Sequence, residues 1–298
     1  MGEKAVGRRA AVILVLLAAG CWGCMGIFVR YFNGLGLQAM NVVFLRVLVA
    51  VVFLPVMVLA VRPASFRIHL RDLWCFAGTG ILSIAMFSYC YFKTIALTSL
   101  SVAAVLLYSA PVMVVLLSAL IFKERITRKK ALACLLAFLG CLLVGGLKGE
   151  AVPAIALLTG FLSAFGYALY SIFSRVAMNR GYHSFTIILY TFFLSLFGVV
   201  PFADIPATFQ AVQAAGAGAW GMVLLMGLIT AVLPYLFYTL GLSGLEAGRA
   251  SIMASLEPVV ATLIGMAAFH EMPTAAGFLG ILLVLAGVVL LNAGSEKV

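Results

Sequence analysis

Long apolar runs separated by short polar joints dominate the chain. Ten can be read, at roughly 11–31, 38–61, 73–96, 101–121, 131–147, 152–177, 184–203, 217–242, 248–269 and 274–293. A helix rising 1.5 Å per residue needs about 20 such residues to cross a hydrocarbon core of about 30 Å. The pattern therefore predicts an all-α integral membrane protein with ten transmembrane helices and no soluble domain. The first run follows Lys4, Arg8 and Arg9, as a signal peptide would. It continues for about 20 residues to Tyr31 without a convincing cleavage site, so it is read as a retained first helix.

Composition agrees. Of 298 residues, 65% are hydrophobic and 9% charged, against roughly 45–50% and 25% in soluble domains. A soluble globule with this composition has too few polar groups to cover its surface. That excludes a cytosolic enzyme, a disordered chain and a small disulfide scaffold. The six cysteines all lie inside apolar runs, where free cysteine behaves as a small hydrophobe. No metal or cofactor motif is expected.

The excess of 19 basic over 9 acidic residues, +10, would suggest nucleic acid in a soluble protein. Here the basic residues cluster in short joints. With the N-terminus inside and the helices alternating, fifteen fall inside, from Lys4 through Arg62, Arg67, Lys130 and Arg180 to Lys297. Three (Arg30, Lys93, Lys148) fall outside, and Arg46 lies within a run. That asymmetry supports ten spans with both termini cytoplasmic.

The chain also repeats. A shift of 147 lays Tyr91 on Tyr238, Pro111-Val112 on Pro258-Val259, and Phe122-Lys123-Glu124 on Phe269-His270-Glu271. A shift of 145 lays Ile27-Phe28 on Ile172-Phe173, Arg30 on Arg175 and Trp22 on Tyr167. Each half, 1–147 and 148–298, is expected to hold five helices. Five is odd, so the halves are expected to insert with opposite orientation. Inverted repeats mark secondary transporters, whose substrate sites lie near the midplane between repeats.

At these residues the chain resembles the drug/metabolite transporter superfamily, and within it the ten-helix EamA-type branch. The matching features are Trp22-Gly23 in the first run, Leu45-Arg46 in the second and the mid-run Pro111 and Pro258. Phe-x-Glu-x-x-Thr also occurs twice, at Phe122–Thr127 and Phe269–Thr274. The resemblance implies a central cavity lined by helices 1, 3, 4, 6, 8 and 9, with helices 5 and 10 at the periphery.

Candidate chemistry lies inside the runs. Glu257 stands roughly 13 Å from one end of its span, where charge is costly and normally faces a cavity or a partner. It is read as a proton-coupling or substrate-amine site. A carboxyl held by a structural hydrogen bond is the competing reading. Arg46, about 12 Å from the opposite face, suits a substrate carboxylate, a pair with Glu257, or helix tethering. Pro111 and Pro258 free the carbonyls of Leu107 and Ala254 and are read as hinges or static kinks. Trp22, Tyr89, Tyr108, Tyr167 and Tyr235 are the favoured cavity aromatics, against plain packing for any one of them. Gly20, Gly23 and Gly26 are expected to form a smooth contact face. Lys123 to Lys130, Glu124 and Glu271 are read as interface anchors.

The resulting expectation is a secondary transporter in the plasma membrane, the inner membrane of a bacterium. It would export a small amphipathic organic metabolite by alternating access, with or without proton coupling. Its partners would be that solute, lipid and protons, without nucleic acid, and a monomer would suffice. A passive channel is the alternative. A thiol oxidoreductase built on Cys21-x-x-Cys24 is the remote one, since the exposed loops offer no relay cysteines.

Overall fold

The computed structural model describes residues 5–145 and 152–293. Lys4, Lys148 and Lys297, and the junction expected near 147–148, lie outside them. Among the described residues every regular element is helical, and nine helices are long and apolar enough to cross a membrane. In chain order they are α1 (Arg8–Gly34), α2 (Ala39–Val61), α3 (Leu70–Leu97), α4 (Ser101–Phe122), α6 (Ala154–Asn179), α7 (Ser184–Phe202), α8 (Ala217–Gly244), α9 (Ala247–Phe269) and α10 (Ala275–Asn292). Between α4 and α6 lies α5 (Arg128–Gly145), an 18-residue helix. It opens on three consecutive basic residues, which lower its apolar content.

The two halves of the sequence interlock. Helix α1 packs on α8 and α9, α3 on α6 and α7, and α4 on α6 and α9. Their shared faces enclose the centre of the bundle. Helices α5 and α10 lie against each other, backbone to backbone. A Cβ on Gly140 would stand 2.6 Å from the Gly280 carbonyl oxygen, and one on Gly280 would stand 2.5 Å from that of Gly140. At Gly23, α1 crosses α9 so closely that a Cβ would fall 2.7 Å from Val260. Gly20 and Gly26 face open space, so the expected smooth glycine face reduces to Gly23 alone.

Three local irregularities recur 147 residues apart. The π-helical segment Gly78–Ala85 in α3 overlaps, under that shift, the π-helical segment Leu228–Val232 in α8. Helix α4 is interrupted at Tyr108-Ser109 and α9 at Ser255-Leu256. Each interruption lies just before the proline that cannot donate a helical hydrogen bond, Pro111 or Pro258. Both helices then end on a non-glycine residue in the left-handed region, Lys123 (φ 59°) and His270 (φ 55°).

The charged joint after α4 departs from the sequence reading. Lys130 is not a surface anchor but a buried cation. Its Nζ donates to Glu124 Oε2 at 2.8 Å and to Glu246 Oε2 at 3.0 Å. Glu124 also accepts from the backbone amides of Ala247 and Gly248, at 2.9 and 3.4 Å, at the start of α9. This cluster ties the end of α4 to the start of α9. Its sequence counterpart Glu271 is half-exposed and pairs instead with Arg30 at 2.7 Å.

Candidate functional site

Two small cavities meet at the centre of the bundle. The first is bounded by aromatic rings. Trp22 of α1 lies edge-on to Tyr235 of α8, with centroids 5.4 Å apart, and 5.5 Å from Tyr238. It lies 6.4 Å from Tyr167 of α6. Phe87 of α3 covers Tyr167 at 5.6 Å. The enclosed volume is about 10 Å³, enough for roughly one water.

Hydrogen bonding separates these aromatics into two groups. Tyr170 shares a hydrogen bond with Thr239 at 2.6 Å, and Tyr238 with Ser171 at 2.7 Å. Both bonds join α6 to α8, so these rings brace the wall. Tyr167 lines both cavities. The Tyr235 ring packs edge-on against Tyr170 and Phe192, with centroids 4.9 and 5.1 Å away.

The second cavity, about 20 Å³, forms where the interruptions of α4 and α9 meet. Its walls include Tyr108, Pro111, Ala254 and Glu257, with Tyr167 as the shared partition. Glu257 is the first residue of the second segment of α9. The amides of a helix start favour negative charge there, which helps explain how a carboxyl is tolerated at this depth. The hydroxyls of Ser251 and Ser255, which line the same cavity, are buried without a hydrogen-bond partner. Buried polar atoms normally find a partner, so two unpartnered hydroxyls beside a carboxyl mark a place for a polar group or water.

Arg46 is 7% exposed, and its Nε is buried without a partner. Among the described residues no ion pair within 4 Å joins it to Glu257. The spans therefore hold this guanidinium and this carboxyl group without a salt bridge between them among the described residues.

Of the sequence-selected residues, Trp22, Tyr108, Tyr167, Tyr235, Glu257 and Pro111 line these cavities, whereas Pro258, next to Glu257 in α9, and Arg46 in α2 line neither. Nor does Tyr89. It is 40% exposed and packs on Phe202 at 4.6 Å, because it projects from the outer side of α3. Sequence reasoning passed over Ser251, Ser255 and Phe87. The serines sit four residues apart, one helical turn, and lead into Glu257, which was the available signal. All six cysteines are free thiols, Cys21 and Cys24 included.

The profile of the EamA-like transporter family matches the chain twice, over residues 9–146 and 154–293. The chain belongs to the EamA-like transporter family. This places it among multi-pass membrane transporters of the drug/metabolite type, and the names of its relatives are those of transporters, not enzymes. An uncharacterized transporter of Archaeoglobus fulgidus is 28% identical over 93% of this chain and 94% of its own length. The transporter YxxF of Bacillus subtilis is 27% identical over 95% and 89%. The pseudopaline exporter CntI of Pseudomonas aeruginosa is 26% identical over 95% and 96%. A crystal structure 17% identical in sequence superposes with a TM-score of 0.75, covering 96% of this EamA-like chain and 98% of its own, which establishes the shared fold.

Proposed function

We propose that this protein is a secondary transporter that exports a small amphipathic organic metabolite, an amino acid or a related compound, by alternating access. The observation that carries this reading is the meeting of two interrupted helices, α4 and α9, at Glu257 in the bundle centre. Broken helices at the midplane are where secondary transporters bind solutes. The aromatic cavity suits the solute's apolar body. Glu257, Ser251, Ser255 and Tyr167 suit an ammonium or another donor. Arg46 suits a carboxylate. Glu257 is also the group on which proton coupling would act. In this conformation the cavities hold little more than water, so the reading requires the helices to part on one side at a time.

The same reading takes the bundle as ten spans in two inverted halves, with the Lys- and Arg-rich ends and both termini in the cytoplasm. The recurrence of the π-helical segments, the interruptions and the left-handed residues at one spacing supports it. The experiment is flux in proteoliposomes loaded with candidate amino acids. A saturable flux accelerated by solute on the opposite side is expected. Non-saturating flux without that acceleration would mean a channel.

A further inference from the structure

We propose a binding site for an anionic glycerophospholipid between α2 and α7, at the arginine-rich end of the bundle. Two adjoining cavities carry it. The first, about 540 Å³, is bordered by Arg62, Ser65, Arg67, Arg180 and Thr186. The second, about 400 Å³, is bordered by Val51, Pro55, Phe66, Leu189, Tyr190 and Phe193. They adjoin at Phe66-Arg67. Both are far larger than the central cavities.

The polar cavity has the charge for a phosphodiester. Arg180 is already taken by Asp72, and its guanidinium lies 4.9 Å from the Trp74 ring. Arg62 and Arg67 have no ion-pair or side-chain hydrogen-bond partner among the described residues, so the cavity keeps two uncompensated positive charges. Ser65 adds an independent mark. It is 3% exposed, and its hydroxyl is buried without a partner on the same wall. Basic pockets between transmembrane helices recognise anionic headgroups.

The second cavity supplies the place for an acyl chain. Its one polar side-chain group, the Tyr190 hydroxyl, donates to the Phe66 carbonyl at 2.8 Å, which leaves the groove apolar. Phe193 is exposed on its wall. Val51 lies eleven residues before Arg62 on one helix, and Phe193 ten residues after His183 on the other. At 1.5 Å per residue, the groove runs about 15 Å into the bilayer from the charged rim, about the depth of one leaflet. A free anion has no use for this groove, and an uncharged lipid has none for the two arginines. The combination fits one molecule with both parts.

The test is lipid retention by the full-length protein, measured by native mass spectrometry after exchange into mixed micelles of phosphatidylglycerol and phosphatidylcholine. Wild type is expected to retain phosphatidylglycerol with a preference on the order of tenfold. Arg62→Gln with Arg67→Gln is expected to erase that preference. Arg8→Gln with Arg9→Gln removes as much charge elsewhere and is expected to keep it. Val51→Trp, which fills the groove without touching the charge, is expected to reduce retention. All three variants are checked for an unchanged wild-type elution profile. Equal retention of the two lipids by wild type would overturn the proposal. So would a preference that survives loss of both arginines, or equal loss on Arg8→Gln with Arg9→Gln. Binding of inorganic phosphate as tight as that of phosphatidylglycerol would make this a free-anion site and overturn it also.

Discussion

Trp22 stands at 83° to Tyr235, with ring centroids 5.4 Å apart, so one helix from each half of the sequence contributes a ring to the same contact. Edge-on pairs of this kind contribute about 0.5–1.5 kcal/mol beyond the area they bury. They also fix the shape of the space between them. Trp22→Ala or Tyr167→Ala is expected to lower transport by roughly tenfold, the equivalent of about 1.4 kcal/mol. Phe278→Ala, on the exposed side of α10, is expected to leave it close to wild type. Initial rates in proteoliposomes, corrected for the amount of protein inserted, check this. Equal and small effects at all three positions would remove the aromatic cavity from the transport path.

Glu257→Gln separates three roles. Gln keeps the shape and one acceptor but carries no proton to exchange. If Glu257 couples protons, accumulation driven by a pH gradient disappears while solute exchange survives. If it binds an ammonium, both fall, and cationic solutes lose the most. If it only holds a hydrogen bond, both stay near normal. The coupling outcome is expected, and paired measurements with and without a pH gradient distinguish the three.

Lys130, Glu124 and Glu246 set an acid limit on stability. Burial pushes the Glu124 carboxyl up. The hydrogen bond and charge of Lys130, with the Ala247 amide, outweigh this and hold it below its ordinary range. A carboxyl whose pKa is lower folded than unfolded adds stability that is fully present above the ordinary carboxylate range. That stability is lost as the pH falls through the folded value. Glu124→Gln is expected to lower stability near neutrality by about 1.5–3 kcal/mol. This is less than the roughly 3–5 kcal/mol of a fully orphaned partner, because Glu246 still faces Lys130. Thermal unfolding in detergent from pH 3 to 8 is expected to show a flatter acid limb in the variant.

The proposed topology predicts a labelling pattern. In a cysteine-free background, Gln38→Cys and Met272→Cys are expected to react with an impermeant maleimide from outside intact cells. Ala64→Cys and Arg125→Cys are expected to react only after permeabilisation. A single exchange between the two groups would break the inverted arrangement.

Much of this arrangement was legible in the sequence because the bilayer penalises polar groups so heavily. Glu257 and Arg46 stood out as charges within apolar runs, and Pro111 and Pro258 announced the interruptions of α4 and α9, although Pro55 sits in α2 without breaking it. The aromatic wall was harder to read. In a helix apolar on every side, nothing in the pattern says which face looks inward, so Tyr89 was indistinguishable from Phe87. Lys130 was misread for a related reason. It sits in a run of basic residues that orient the chain, and only the fold brings Glu246 to it from 116 positions away. The π-helical segments left no trace, since they depend on hydrogen-bond register and not on residue type.

The contact between Gly140 and Gly280 has a mechanical meaning. Two helices that touch through their main chains at Gly140 and Gly280, with Val284 and Leu143 packed against the same spot, leave no room there for a larger residue. Helices α5 and α10, at the ends of the two halves, are thereby packed as one close pair, expected to move as a single rod. The solute path would open and close beside this keel, and its rigidity gives the moving helices something to push against.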